Sequence, residues 1–321
     1  MLTTKYILCH GSGNRFLMLD AVREPALERL AEQPELVARL CREVGRTDGL
    51  LLTVRVGKEY GMRMMNTDGS EAEMCGNGIR CVARQAQEYV GQSDRFDLFS
   101  GGKRHAIRRE EPIFGSIPTY CVAIGISLST PDFIPSMGRK EGFVGEVIEA
   151  LDPTLKFTYL NLGNPHLVAA VDRIDLERLS ALGEKVKSLQ ELLPHGTNVS
   201  FYRPLGNQRI YTATYERGVG LTASCGTAMT ACSTAASLLG YCRHDEPITV
   251  LNSGGRVRCL SMRSDKGLIT TLSGNATYEG EGEMALDPER GSYELIGDLR
   301  PYDDERAEYD LFLKTIQAEK L

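Results

Sequence analysis

MNTDGSEAEMCGNGIRC, residues Met65–Cys81, and YERGVGLTASCGTA, residues Tyr215–Ala228, decide how this chain is read. Each carries Cys-Gly directly before a stretch with helical apolar spacing, and the two cysteines, Cys75 and Cys225, are 150 residues apart. The same offset of 150 relates Gly13-Asn14 to Gly163-Asn164, Thr47-Asp48 to Thr197-Asn198, and Asn66 to Glu216. Several matches at one fixed offset are the mark of an internal repeat. The repeat covers about residues 1–125 and 151–275.

Local patterns repeat with it. TKYILC and FLMLD in the first half, and KFTYLN and LVAAV in the second, read as strands. PELVARLCREV and KVKSLQELL show helical spacing, and LLLTVRV and NVSFY follow as strands. After Cys75, a helix over Gly76–Val90 places Ile79, Val82, Ala83, Ala86 and Val90 on one face. After Cys225, TAMTACSTAASLL is small and apolar almost all round, which predicts a buried helix over Gly226–Leu239. The expected fold is therefore α/β (α+β), with two pseudo-symmetric domains, each a mixed sheet or barrel wrapped around a central helix. The active site is expected in the cleft between them. The halves run 1–130 and 131–275, with part of 276–321 joining the first. Residues 101–118 read as a loop or flap, and DDERAEYDLFLKTIQAEKL as an amphipathic terminal helix.

Composition narrows the function. The chain has 321 residues, 42% hydrophobic and 25% charged, with a formal net charge of −6. That is the balance of a globular protein, and it disfavours a nucleic-acid surface built on excess Lys and Arg. No apolar run reaches the roughly 18 residues of a membrane span. The stretch MLTTKYILCHGSGNRF meets His, Gly and Asn before a signal-peptide core could form, so no leader is expected. The nine cysteines are odd in number and scattered, which favours reduced thiols in a cytosolic protein.

A cysteine where a loop enters a helix faces unpaired N–H groups and partial positive charge. That setting lowers a thiol pKa and also makes an anion site. Two such thiols converging on one carboxylate suit inversion of the adjacent carbon: one removes the α-proton and the other protonates the opposite face. Cysteine is also among the most buried residue types. Cys81 and Cys232, inside helices, read as core, and Cys9, Cys41, Cys121, Cys242 and Cys259 have no special context. His10, His105, His195 and His244 show no metal spacing; His166, in Asn-Pro-His, either orients the neighbouring loop or is a structural histidine.

Both cysteine stretches resemble the two signatures of diaminopimelate epimerases. GSGNRF near the start, LGNPHLV at 162–168, TNVSFY at 197–202 and LSGNATYEGE at 272–281 match in the same order. Proline racemases and hydroxyproline epimerases typically carry Cys-Gly-His at the first thiol; Cys75-Gly76-Asn77 sides with the diaminopimelate group. The resemblance implies catalysis without cofactor or metal on a small-molecule amino-acid substrate, in the cytoplasm, by a homodimer. It implies that Cys75 and Cys225 are the catalytic thiols. Gly76, Asn77, Gly226 and Thr227 would hold the α-carboxylate through backbone amides. Asn14, Asn66, Asn164, Asn198, Glu216 and Arg217 would grip the rest of the substrate.

Read without the resemblance, an Asn beside Gly is commonly a turn residue and Glu216-Arg217 a solvated pair. Three departures bear on the substrate: Arg15 where the family has Asp, Leu221 where it has Glu, and Ala228 where it has Gly. They keep open a sister enzyme for a basic or proline-like amino acid, and a binding protein that has lost catalysis. A thiol–disulfide redox protein is a further alternative, although Cys-x-x-Cys is missing.

Overall fold

The computed structural model describes residues 1–72, 74–126, 143–189, 193, 196–264 and 267–319. They form two compact units, one of Met1–Val122 with Ser273–Glu319, the other of Ala123–Leu272.

In the first unit, β1 (Leu2–Gly11) and β2 (Asn14–Asp20) form a hairpin. A 3-10 turn (Pro25–Glu32) and α1 (Pro34–Glu43) lead to β3 (Gly49–Val56), which pairs parallel to β2. Strand β4 (Glu59–Asn66) returns antiparallel to β3, and the short β5 (Glu71–Ala72) folds back on it. Then come α2 (Gly78–Val90), β6 (Arg95–Ser100), β7 (Lys103–Glu110) and β8 (Thr119–Ile126). Strand β6 runs parallel to β4; β6–β7 and β7–β8 are antiparallel. Leu36, Val37, Leu40 and Cys41 of α1 lie in one core with Leu17, Leu19, Leu50 and Leu52 of β2 and β3. The i, i+1, i+4, i+5 spacing of α1 produces that apolar face.

The second unit repeats this order. Strands β9 (Glu146–Ile148), β10 (Asp152–Asn161) and β11 (Pro165–Ala170) precede α3 (Leu176–Val186). They are followed by β12 (Asn198–Gly206), β13 (Arg209–Glu216), the short β14 (Gly220–Thr222) and α4 (Gly226–Leu238). Strands β15 (Ile248–Leu251), β16 (Arg256–Ser264) and β17 (Gly267–Asn275) complete the repeat. The ladder β10–β11–β12–β13–β15–β16 alternates antiparallel, parallel, antiparallel, parallel, antiparallel, as does β1–β2–β3–β4–β6–β7. The same alternation of hairpin and crossover connections thus occurs twice in the chain. The duplication read from short matches is a duplication of topology.

The tail belongs to the first unit. Strand β18 (Thr277–Asp287) pairs antiparallel with β1, β19 (Ser292–Pro301) pairs with β18, and α5 (Asp303–Glu319) follows. Tyr309 of α5 meets the His10 ring edge-on at 4.3 Å, and Phe312 stacks on Phe114.

Three expectations are corrected. Residues 103–110 of the supposed flap are strand β7, joined to β6 through Gly101 and Gly102 at φ 55° and 71°. Positive φ at both positions is the two-residue hairpin turn that matches strand twist, and Gly-Gly permits it. The helix expected at 185–193 instead spans Leu176–Val186: Asp175 caps it by accepting the Arg178 N–H at 3.0 Å, and Leu179, Leu182 and Val186 are buried. Residues 190–192 of that stretch lie outside the described residues, as does His195. Finally, α2 starts at Gly78, not Gly76, and it is buried on more than its apolar face, with Arg80, Arg84 and Gln85 all covered. Helix α4 is buried along Gly226–Ser237. Among the described residues no helix is long and apolar enough to cross a membrane.

Candidate active site

The two cysteine loops are built alike. In the first unit Cys75 is half-buried ahead of α2, and its Sγ accepts the Gly78 N–H at 3.3 Å. In the second, Cys225 is buried at the N-cap position of α4, and the Ala228 N–H donates to its sulfur. Each thiol thus takes the amide three residues on, one of the four donors that a helix start leaves without an intrahelical partner.

A second shared feature involves the Gly-Asn turns. Asn77 Nδ2 donates to Asn14 Oδ1 at 3.4 Å, and the Cys75 thiol lies 3.9 Å from that same oxygen. Asn164 Nδ2 donates to Thr227 Oγ1 at 3.3 Å, and Thr227 Oγ1 lies 3.5 Å from Cys225 Sγ. So Asn14, Cys75, Asn77 and Gly78 form one quartet, and Asn164, Cys225, Thr227 and Ala228 form its counterpart 150 residues on. The hairpins β1–β2 and β10–β11 supply the asparagines at their connections: Asn14 opens β2 directly after Gly13, and Gly163-Asn164 lies between β10 and β11.

The remaining predicted residues fall around these quartets unequally. Glu216, at the end of β13, hydrogen-bonds Cys225 and accepts from Thr222 Oγ1. Asn198 Oδ1 accepts the Arg217 N–H at 2.9 Å, and so joins the starts of β12 and the loop after β13. Asn66 closes its own turn instead, donating to Ser70 Oγ at 2.9 Å. Gly76 and Gly226 are placed at the two helix entrances. Arg15, the departure beside Asn14, forks onto Glu279 with its closest contact at 2.8 Å. Leu221 is 45% exposed and lines a cavity of about 570 Å³ with Cys225, Ser224, Thr222, Thr214 and Asn252.

Electrostatics revises one expectation. Burial pushes the Cys225 thiol well up, the Glu216 carboxylate adds to that, and the Thr227 and Ala228 hydrogen bonds oppose it less strongly. The helix entrance does favour the thiolate, but removing water from a fully covered sulfur costs the anion more. Cys225 therefore rests as a thiol donating toward Glu216.

Three residues outside the predicted set hold the quartets. Asp48 Oδ2 accepts from Asn14 Nδ2 at 3.1 Å and from the Arg15 N–H at 2.8 Å. His166 Nε2 lies 3.0 Å from Asn164 Oδ1. Arg80 touches the Cys75 loop directly. The offset pairing of Thr47-Asp48 with Thr197-Asn198 pointed at Asp48, and the Asn-Pro-His stretch at His166; no local signal marked Arg80. Among the described residues no group of three or more His, Cys, Asp or Glu side chains is placed to hold a metal ion.

The buried histidines make the fold sensitive to acid. His166 is pushed down to about 3, first by burial and then by Arg217, and His10 to about 3 by burial, Arg15 and Arg80. Both are neutral in the folded chain, whereas the unfolded chain takes up protons below about 6.5. Their contribution is intact above that value and is lost as pH falls from 6.5 toward 3. The expected slope is on the order of 1 kcal/mol per pH unit for each histidine. Urea midpoints between pH 8 and 5 test this; a flat profile that His166→Gln and His10→Gln leave unaltered refutes it.

Comparison with known proteins places the chain. The family model for diaminopimelate epimerase matches residues 6–111 and 158–279. A diaminopimelate epimerase from Clostridium acetobutylicum is 33% identical over 311 residues, 95% of this chain and 92% of that protein. One from Enterococcus faecalis is 36% identical over 318 residues, covering 96% and 97%. Among solved structures, a PhzF-family phenazine biosynthesis protein from Bacillus anthracis has a TM-score of 0.65 at 15% identity, over 89% of this chain and all of that one. A hydroxyproline epimerase from Agrobacterium vitis has a TM-score of 0.62 at 12% identity, over 90% and 94%. At those identities the structural likeness is one of fold.

Proposed function

The chain belongs to the diaminopimelate epimerase family and is an isomerase, and from that premise we propose that it interconverts LL- and meso-2,6-diaminopimelate with Cys75 and Cys225 as its two bases. The observation that carries the reading is the repeated quartet: two thiols, each fixed by the amide three residues on and by a Gly-Asn turn. Inversion needs a base on one face of the α-carbon and an acid on the other, and a duplicated site supplies two groups of the same kind.

In this scheme one cysteine acts as thiolate and takes the α-proton, while the other, as thiol, delivers a proton to the opposite face. The reverse reaction exchanges the roles. Glu216 accepts the Cys225 proton in a hydrogen bond and its negative charge favours the thiol, which suits Cys225 to be the proton donor. As the α-proton leaves, charge builds on the α-carboxylate. The amides at the starts of α2 and α4, from Gly76, Asn77, Gly226 and Thr227, are the groups that would stabilise it. Arg217 offers a bidentate partner for the distal carboxylate, and Asn14, Asn66, Asn164 and Asn198 offer amides to both ends.

The reaction places the protein in the supply of lysine and of cell-wall precursor. All nine cysteines are free thiols, which suits a reducing compartment and the cytoplasm. A homodimer is part of the same proposal, on the family resemblance alone.

The deciding experiment incubates the purified, reduced protein with each isomer in deuterated water and follows α-deuterium and isomer ratio by NMR. Both isomers should take up deuterium and approach one equilibrium mixture. No exchange with either isomer would refute the substrate, and exchange with proline or a basic amino acid in its place would point to a sister activity.

A further inference from the structure

Arg80 is the largest fully buried side chain among the described residues. It lies in the first turn of α2, and its guanidinium reaches four oxygens: the Gly76 carbonyl at 2.7 Å, Asn77 Oδ1 at 3.1 Å, Asn275 carbonyl at 3.1 Å and Ser12 Oγ at 3.2 Å. We infer that Arg80 is the positioning residue of the Cys75 half-site, setting the direction of its amides and of the hydrogen bond offered to the Cys75 thiol. This deepens the epimerase reading and rests on it.

The argument follows from donors and planes. A guanidinium has only donors, so the Asn77 atom it meets must be the carbonyl oxygen. That leaves Asn77 Nδ2 to face Asn14, which must answer with Oδ1, while Asp48 takes the Asn14 amide group. The acceptor turned toward the Cys75 S–H is thus chosen two bonds away, by Arg80. The grip on the Gly76 carbonyl acts on the backbone. In a trans peptide the carbonyl and the next N–H point in opposite directions, so holding the Gly76 carbonyl aims the Asn77 N–H away from Arg80. Asn77 N–H is one of the amides assigned above to the α-carboxylate.

Two further observations agree. In the second half the equivalent place, 150 residues on, is Thr230, whose hydroxyl donates to the Gly226 carbonyl at 2.9 Å. The grip on the glycine carbonyl recurs although the side chain differs. The space around Arg80 is also closed: a Cβ on Gly11 would lie 2.8 Å from both Arg80 Nη2 and the Asn77 carbonyl. Glycine there lets β1 come close enough to fix the guanidinium.

The test uses Arg80→Met and Arg80→Lys in the full chain, with kcat, KM and peptide-resolved iodoacetamide alkylation of Cys75 and Cys225 from pH 6 to 10. Losing several charge-assisted hydrogen bonds, Arg80→Met should raise KM for both diaminopimelate isomers about tenfold or more. Removing the buried cation should also move the Cys75 alkylation profile to higher pH and leave that of Cys225 in place. Arg80→Lys keeps the charge without the fork. It should raise KM while restoring most of the Cys75 profile. A folded Arg80→Met with wild-type KM and an unmoved Cys75 profile overturns the inference. Should the methionine variant fail to fold, wild-type KM in Arg80→Lys overturns it equally. If the wild-type protein exchanges neither isomer, the substrate reading fails by itself, and the selective shift at Cys75 still decides the role of Arg80.

Discussion

Replacing Cys225 by alanine reduces interconversion of the diaminopimelate isomers by about 10³-fold or more, and Cys75→Ala does the same, the upper range for losing a positioned acid or base. The two effects are expected to be equal in kind, because in the proposed scheme each thiol serves one face and neither substitutes for the other. Both losses should leave the fold intact. Cys75 is half-buried, and alanine at the α4 N-cap gives up one sulfur acceptor for the Ala228 N–H, a loss of about 1 kcal/mol. A finer outcome follows from the remaining base. Each single variant should still wash α-hydrogen out of one isomer slowly without inverting it, since abstraction and return can occur on the same face. Parallel rates of exchange and inversion in either variant, or full activity, would remove the two-thiol assignment.

Arg84→Met is expected to destabilise the first unit by about 3 kcal/mol, the scale for breaking a buried ion pair. Arg84, 7% exposed, forks onto Glu305 of α5 with both contacts at 2.7 Å. It also donates to the Ala276 carbonyl at 2.8 Å and to Glu88 at 2.8 Å, and it lies 3.6 Å over the Tyr278 ring. Glu305 accepts the Tyr278 N–H as well, at 3.0 Å. One ion pair therefore ties the central helix α2 to β18 and α5. Methionine keeps most of the stem's packing, so the loss reports the charge and its hydrogen bonds, not a cavity. Urea unfolding measures it, and a change below about 1 kcal/mol, the range of exposed pairs, would show that water screens the contact. The paired variant Arg84→Met with Glu305→Met should recover stability, because burying neither charge removes the desolvation penalty.

Much of the site was legible because it is local. Cys75-Gly76 and Cys225-Gly226, each at a helix entrance, and the Gly-Asn turns are short patterns whose spacing carries their geometry. The repeat multiplies that signal, since one offset relates Asn14 to Asn164 and Cys75 to Cys225; that each asparagine lies beside its own cysteine loop is a tertiary fact. Strands β1, β2, β10 and β11 were equally plain from their apolar runs. Two of the corrected expectations are local as well: Gly101-Gly102 is a hairpin turn inside the stretch read as a flap, and the Asp175 cap lies ten residues before Lys185, where the spacing starts the helix.

The expected pKa of Cys225 failed for a different reason. A helix entrance is visible in sequence, but the depth at which it is buried is not, and at Cys225 the lost hydration outweighs the dipole.

By itself, the sequence determined the duplication, the alternation of strand and helix, and the two thiols with their glycines and asparagines. Those follow from neighbours close along the chain. Only the tertiary structure decided that two arginines of α2 are buried and what they hold. Arg80 meets the Asn275 carbonyl 195 residues away, and Arg84 meets Glu305 221 residues away. An arginine on a helix reads as a solvated face unless its partners are known. Here the partners come from the far end of the chain, which returns to pack the first unit against its own helix α2.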